Sequence, residues 1–313
     1  MSLKLNIVFF AALLALLSCE KQEEIVNAEY AAVEVAVSLA DGNQTRSVSQ
    51  AENVDRVYYE VWDESFTRRL FPIENLQGNY AQVSNCTANV KLQLLKDQKF
   101  NLIFWAQNSG CKVYSWTDLK NISVDYKGFT SNNKDVYDAF YAVESIVSNG
   151  LPKEVKLYRP FAQLNFGTST METSVGPFTI ESNSVTVSEV ATSFNTLSGK
   201  ANSDSYAAKV AFTALQGGLV QEESENRKDL TIDGNSYYWV AMNYLFVPSA
   251  AQATVTVDAV FNTSDGTVSH TISNVPLKRN YKTNIVGDLF TKGAELTIKV
   301  VPDFYKPDLE PEN

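Results

Sequence analysis

Tyr30-Ala31-Ala32-Val33-Glu34-Val35-Ala36-Val37-Ser38-Leu39 puts an aliphatic side chain at every second position from Val33 to Leu39, with Glu34 and Ser38 on the alternate positions. A period of two is the repeat of an extended chain with one face in a core and the other toward water. The pattern recurs in Val57, Tyr59 and Val61, in Val90, Leu92 and Leu94, in Phe100, Leu102 and Phe104, and in Ile122, Val124 and Tyr126. It continues through Ala162, Leu164 and Phe166, through Val255, Val257, Ala259 and Phe261, and ends with Leu296, Ile298 and Val300. Asp41-Gly42, Asp233-Gly234 and Asp265-Gly266 supply the positive φ of tight turns, so Thr231 to Trp239 and Phe261 to Val268 each predict a hairpin. Long helical periodicity is absent. The best helical candidate, Asp135 to Ile146, is short and reads as a loop with a turn or two. Many short antiparallel strands predict an all-β fold of the sandwich kind.

The chain opens on an address rather than on the fold. Lys4 is followed by an unbroken apolar run, Ile7 to Leu17. That run is too short for a helix to cross the bilayer, which takes about 20 residues, and has the length of a signal-peptide core. It ends Leu16-Leu17-Ser18-Cys19, which resembles the bacterial lipobox. The resemblance implies a signal peptide over residues 1–18, acylation of Cys19, and Cys19 as the new N-terminus. Several acyl chains anchor a protein stably without a transmembrane helix. Residues 19–29 then read as a lipidated tether, and Glu20-Lys21-Gln22-Glu23-Glu24 resembles the acidic signal that sends Bacteroidetes lipoproteins to the outer face of the outer membrane.

The 313 residues carry a formal net charge of −10, and removal of residues 1–18 takes away only one charged residue, Lys4. Such an acidic chain is unsuited to nucleic acid, whose affinity comes from neutralised phosphates. Apolar residues make up 44%, enough for packed cores rather than disorder. The length suggests two domains. Asn149-Gly150-Leu151-Pro152 and Arg159-Pro160 punctuate the middle, placing the boundary near residue 158, with domains over 30–158 and 159–313. Apart from Cys19 the cysteines are Cys86 and Cys111. Outside the cytoplasm they are either a disulfide or two separate buried thiols, and spacing does not decide between these.

Four segments in order carry a family resemblance: the lipobox, the strand Tyr30 to Leu39 leading to Thr45-Arg46-Ser47, the aromatic strand Val57-Tyr58-Tyr59-Glu60-Val61-Trp62-Asp63, and Val275 to Gly287. Leu157-Tyr158-Arg159-Pro160-Phe161-Ala162-Gln163-Leu164-Asn165-Phe166 is similar to the start of that family's second domain. Together they resemble the fimbrillin-like surface lipoproteins of Bacteroidetes, the pilin superfamily of type V pili. The resemblance implies two tandem transthyretin-like β-sandwich domains. It also implies cleavage between Arg46 and Ser47, departure of the strand Tyr30 to Leu39 from what would be a sheet edge, and filling of the groove by a strand from another subunit. Implied partners are other pilin subunits, host or bacterial surface ligands, and the outer membrane through the lipid anchor. The tail after Val301 holds Pro302, Pro307 and Pro311, poor material for a donor strand, which points to a tip, an anchor or a non-polymerising adhesin.

Residue chemistry gives little to a catalyst. His270 is the only histidine and lies in an alternating run with no acidic or cysteine partner nearby in sequence. Zinc spacing, a phosphate loop, a nucleophile elbow and an Asp-rich calcium loop are all absent, so no metal, cofactor or catalytic residue is expected. Asp135, Asp138 and Glu144 are one carboxylate group, and Glu222, Glu223 and Glu225 another, the latter read as a solvated loop. An alternative is a glycan-binding outer-membrane lipoprotein of a nutrient-uptake system, with Tyr58, Trp62, Trp105, Trp116 or Trp239 stacking on sugar rings. Trp116 is the one expected in a loop, and the others are expected in the core.

Overall fold

A computed structural model describes residues 29–39, 51–70, 79–129, 136–173, 176–202, 206–215, 230–247 and 253–301. The first strands are β1 (Tyr30–Leu39), β2 (Arg56–Asp63), β3 (Tyr80–Gln82), β4 (Thr87–Leu95), β5 (Lys99–Gln107), β6 (Tyr114–Ser115), β7 (Asn121–Val124), β8 (Ala139–Val147) and β9 (Lys153–Leu157). Then come β10 (Phe161–Thr168), β11 (Glu172–Thr173), β12 (Gly176–Pro177), β13 (Ile180–Ala191), β14 (Ser193–Asn195), β15 (Lys200–Ala201) and β16 (Tyr206–Leu215). The last are β17 (Leu230–Ile232), β18 (Asn235–Phe246), β19 (Ala253–Thr263), β20 (Gly266–Leu277), β21 (Lys282–Gly287) and β22 (Leu296–Val301). The helices among the described residues are two single 3₁₀ turns, Ala51–Asn53 and Tyr126–Gly128.

The fold is an all-β sandwich architecture. Sheet β4-β1-β9 lies against sheet β3-β2-β5-β8. Their facing side chains form one core, with Val33, Val35, Val37, Leu39, Val90, Leu92 and Leu157 on one side and Val57, Val61, Leu102, Phe104 and Phe140 on the other. The far face of β3-β2-β5-β8 is buried as well. Tyr58, Trp62, Ile103 and Trp105 enter a second, larger core shared with Phe161, Leu164, Phe194 and Phe246 from the second half of the chain. This explains why Tyr58 and Trp62, on the face opposite Val57 and Val61, are aromatic.

The second half builds a nine-stranded sheet in the order β20-β19-β13-β18-β10-β21-β22, with β16 on β13 and β17 on β18. β13 and β18 meet at a single pair, Ala191 and Phe246, and the sheet folds there. Its two wings pack together, bringing Phe166 of β10 to within 6.0 Å of Phe261 of β19, ring centre to ring centre. Both predicted hairpins form: Asp233 and Gly234 take positive φ between β17 and β18, and Gly266 takes φ 127° between β19 and β20.

One expectation is corrected. From Ala139 onward the segment Asp135 to Ile146 is strand β8, paired along β5 from Gln107 opposite Ala139 to Lys99 opposite Val147. Phe140, Tyr141, Val143 and Ile146 are aromatic or β-branched, and each packs against one of the two cores, which outweighs the local turn chemistry.

The chain passes between its halves from Leu157 to Phe161, and the halves are stitched on both sides of that passage. β7 pairs with β14 across them. The Tyr126 hydroxyl donates to the Ala191 carbonyl at 2.8 Å and accepts from the Phe246 N–H at 3.0 Å. Arg279 donates to the Tyr141 hydroxyl at 2.9 Å. Arg159, fully buried, donates through Nε to Asp138 at 2.7 Å while its guanidinium lies 4.4 Å from the Phe140 ring centre. Breaking a buried pair leaves a charge unmatched and costs about 3–5 kcal/mol. Asp138→Asn is therefore expected to lower the unfolding free energy by about that amount in urea titration, whereas the joint change Asp138→Leu with Arg159→Met recovers most of it.

Candidate functional site

The site singled out by the sequence is β1 and the groove that holds it. β1 is an interior strand and not the expected edge strand. It runs antiparallel to β4, from Tyr30 opposite Leu95 to Ser38 opposite Thr87, and parallel to β9, from Val35 opposite Lys153 to Leu39 opposite Leu157. The sequence pattern fixes which face of a strand is wet but not which strands flank it. The facing itself is as read: Val33, Val35, Val37 and Leu39 are buried, Glu34 is exposed and Ser38 is half-buried. Burying four aliphatic side chains contributes roughly 1.5–3 kcal/mol each as an upper bound, comparable to the whole stability of a domain.

Both ends of β1 are fastened by backbone. At the start, the Lys96 N–H donates to the Glu29 carbonyl at 2.8 Å, and the Lys96 ammonium lies 2.8 Å from the Glu29 carboxylate. That hydrogen bond holds the Glu29 carboxyl below its usual range. The pair is exposed, so it adds little to stability. At the other end, the Leu39 N–H donates to the Cys86 carbonyl at 2.9 Å. Asn85 and Cys86 both take positive φ, 50° and 59°, in the two-residue turn between Ser84 and Thr87 that delivers this carbonyl. A cleft of about 710 Å³ opens beside Tyr30 and Leu95, with Leu94 and Phe100 among its lining.

Cys19, Arg46 and Ser47 lie outside the described residues, as do Asp135, Glu222, Glu223 and Glu225. Cys86 and Cys111 are both thiols with no bridge joining them. They belong to different cores, Cys111 buried in the larger and Cys86 packed at the margin of the smaller. Burial pushes the Cys111 thiol up to about 11, which keeps it protonated and unreactive. His270, on β20, has Nε2 at 2.7 Å from the Leu289 carbonyl. Asp138 is taken up by Arg159, and Glu144 pairs with Lys153 at 3.6 Å, so these carboxylates do not converge. Among the described residues no group of His, Cys, Asp and Glu is arranged to hold a metal. No helix among them is long and apolar enough to cross a membrane.

Of the aromatics, Tyr58, Trp62, Trp105 and Trp239 are core side chains. Trp116 sits in a loop after β6, half-buried edge-on against Tyr58 at 5.1 Å. Sequence reasoning missed Glu60, a buried carboxylate on β2. It accepts from Trp62 Nε1 at 2.9 Å, Arg69 at 2.9 Å and the Leu119 N–H at 3.1 Å, which latches the loop around Leu119 onto the sheet. Burial raises its pKa despite these donors. An acidic residue between Tyr59 and Val61 in an aromatic strand was the available signal.

The family of unknown function DUF6562 has a model that matches residues 24–312. No curated protein is similar enough in sequence to match. Among solved structures, a candidate cell adhesion protein from Bacteroides ovatus has 13% identity and a TM-score of 0.48, over 87% of this chain and 96% of that one. The tip fimbrial protein Mfa3 from Porphyromonas gingivalis has 10% identity and a TM-score of 0.46, over 87% and 99%. A fimbrial assembly protein from Parabacteroides distasonis has 11% identity and a TM-score of 0.45, over 87% and 95%.

Two outcomes are expected of the site. Leu39→Ala lowers stability by about 2–5 kcal/mol in denaturant titration, as for other buried leucines. In denaturant without reductant, Cys86 and Cys111 each take up one alkylating group, read as intact mass; a bridge would leave both unmodified until reduction.

Proposed function

The chain belongs to that family of unknown function, DUF6562, and we propose that it is a fimbrillin-like cell-surface lipoprotein, a pilus subunit or adhesin held to the outer membrane by lipid on Cys19. The observation that carries this reading is the seating of β1: an amphipathic strand, apolar on one face, lying between β4 and β9 and continuous with a connection that contains Arg46. Division into two domains near residue 158 is part of the same proposal.

Cleavage between Arg46 and Ser47 would free β1 from the rest of the chain. Its departure would open a slot with two unpaired ladders, one on β4 and one on β9, over an apolar floor that includes Val57, Val61, Leu102 and Phe104. Such a slot is costly to leave open, and a strand from another molecule satisfies both its hydrogen bonds and its floor. The replacement must run antiparallel to β4 and parallel to β9, with aliphatic side chains at every second position. β22 is committed to β21, and the proline-bearing segment after it is a poor donor, which favours a tip, an anchor or a non-polymerising adhesin over a stalk subunit. Sugar stacking is the weaker reading, because of the aromatics considered for it only Trp116 lies outside the core.

The test uses the unlipidated mature chain from residue 20, digested briefly with an arginine-specific protease. A first cut after Arg46, release of the N-terminal fragment, and growth into multimers on size-exclusion chromatography are the expected results, and Arg46→Ala abolishes all three. Persistent monomer after the cut would sink strand exchange, and resistance of Arg46 in the folded protein would sink processing.

A further inference from the structure

Four of the seven large apolar side chains exposed among the described residues gather at one pole of the first sandwich. Tyr30 is 62% exposed, Leu95 38%, Val147 46% and Leu151 65%. Pairing and the adjoining turns place them at the same end of the sandwich. Tyr30 lies opposite Leu95 across β1 and β4, and Lys99 lies opposite Val147 across β5 and β8. Ser148, next to Val147, donates its hydroxyl to the Leu95 carbonyl. Gly150, next to Leu151, lies beside the Ala32 carbonyl of β1. Tyr30 and Leu95 alternate with Val33 and Leu94 and face out of one sheet, and Val147 alternates with Ile146 and faces out of the other, so the group flanks this end of the sandwich on both sides. Single exposed apolar residues are ordinary, but four of them at one end of a domain mark a contact surface.

The rim of this pole is nearly balanced in charge. Lys96 pairs with Glu29 at 2.8 Å, Lys99 with Glu64 at 3.1 Å and Lys153 with Glu144 at 3.6 Å. Asp97, exposed in the turn between β4 and β5, adds one negative charge, so this is an apolar face with a nearly balanced border and not a basic patch. The chain preceding Glu29 also enters here, because Tyr30 begins β1. The ten residue-to-residue steps from Cys19 to Glu29 span at most about 33–36 Å when fully extended.

We propose that this pole is a membrane-docking face: Tyr30, Leu95, Val147 and Leu151 sit in the interfacial layer of the outer membrane while the tether holds the molecule there. The geometry of the proposal rests on the lipid-anchor reading of Cys19, but the affinity of the pole for lipid does not. Tyrosine suits the boundary layer, with an apolar ring and a hydroxyl that stays wet. A short tether keeps this pole facing the bilayer, which favours lipid over a protein partner as the occupant. Tyr30 belongs to β1, so loss of β1 would remove tether and docking residue together.

The unlipidated chain from residue 20 is mixed with sedimentable vesicles of the zwitterionic lipids phosphatidylethanolamine and phosphatidylcholine. Wild type is expected to co-sediment with an affinity that changes less than ~2-fold between low and high salt, since the border charges are nearly balanced. Val147→Ser with Leu151→Ser is expected to weaken binding by about tenfold. Both positions are exposed, so an unchanged melting temperature certifies the variant. Leu151→Trp is expected to be quenched by lipids brominated on their acyl chains. Binding no tighter for wild type than for the double variant overturns the proposal, as does binding abolished by salt. Self-association that the double variant removes, without vesicle binding, assigns the pole to a protein contact and overturns it too. The intact mass of the full-length protein extracted from membranes reads acylation of Cys19 separately, so a failed anchor and a failed docking face give different results.

Discussion

Phe104 and Trp105, neighbours on β5, point into different cores. The rest of the molecule depends on that two-sided burial. A sheet packed on one face can stand as one wall of a sandwich, whereas β3-β2-β5-β8 is a shared wall, with the β1 groove on one side and the second half of the chain on the other. Its outer ring of polar fastenings follows from this. Trp105 could enter a core only with a partner for its indole N–H, supplied by Gln107 at 2.7 Å, and Trp62 only with Glu60. Glu60 in turn brings down the loop that covers the sheet.

The two sequence runs that flank the joint have a physical task in common. The Asn280 N–H donates to the Phe161 carbonyl at 2.8 Å, and the Gln163 N–H donates to the Tyr281 carbonyl at 3.1 Å. The turn before β21, with Asn280 at φ 63°, is thus clamped to the start of β10, and Arg279 reaches from it to Tyr141 on β8. Arg159 does the same from the other direction through Asp138. Each run holds the halves in one arrangement, which sets how the groove of the first sandwich is presented relative to the rest of the chain.

Legibility in the sequence followed the water. β1, β4 and β19 have one wet face, so their alternation could be read directly and the inward residues named. β10 is buried on both faces from Phe161 to Thr168, and there the pattern breaks down. Gln163 and Asn165 look like surface residues in sequence, yet Asn165 donates to Gln163 and to Asn284 and accepts from Trp239, a network assembled from three strands distant in the chain. β8 differs from its sequence reading for a related reason: its apolar residues divide between two cores, Phe140 and Ile146 facing one and Tyr141 and Val143 the other, so no single wet face marks it as a strand. At the site, the faces of β1 were legible and its neighbours were not, because strand order is a property of long-range pairing. Cys19 and Arg46 were legible only as motifs.

The pairing of β1 on both sides also has a mechanical meaning. Tension entering the chain at Glu29 meets a ten-residue strand end-on, with β4 along one side and β9 along the other. Under that load the two ladders must slide, so their hydrogen bonds share the force and yield together. Pulled across the sheet rather than along it, the strand would instead peel, one bond at a time. A load applied through the residues before β1 and directed along the strand is therefore met by both ladders at once, the direction in which this part of the fold resists most.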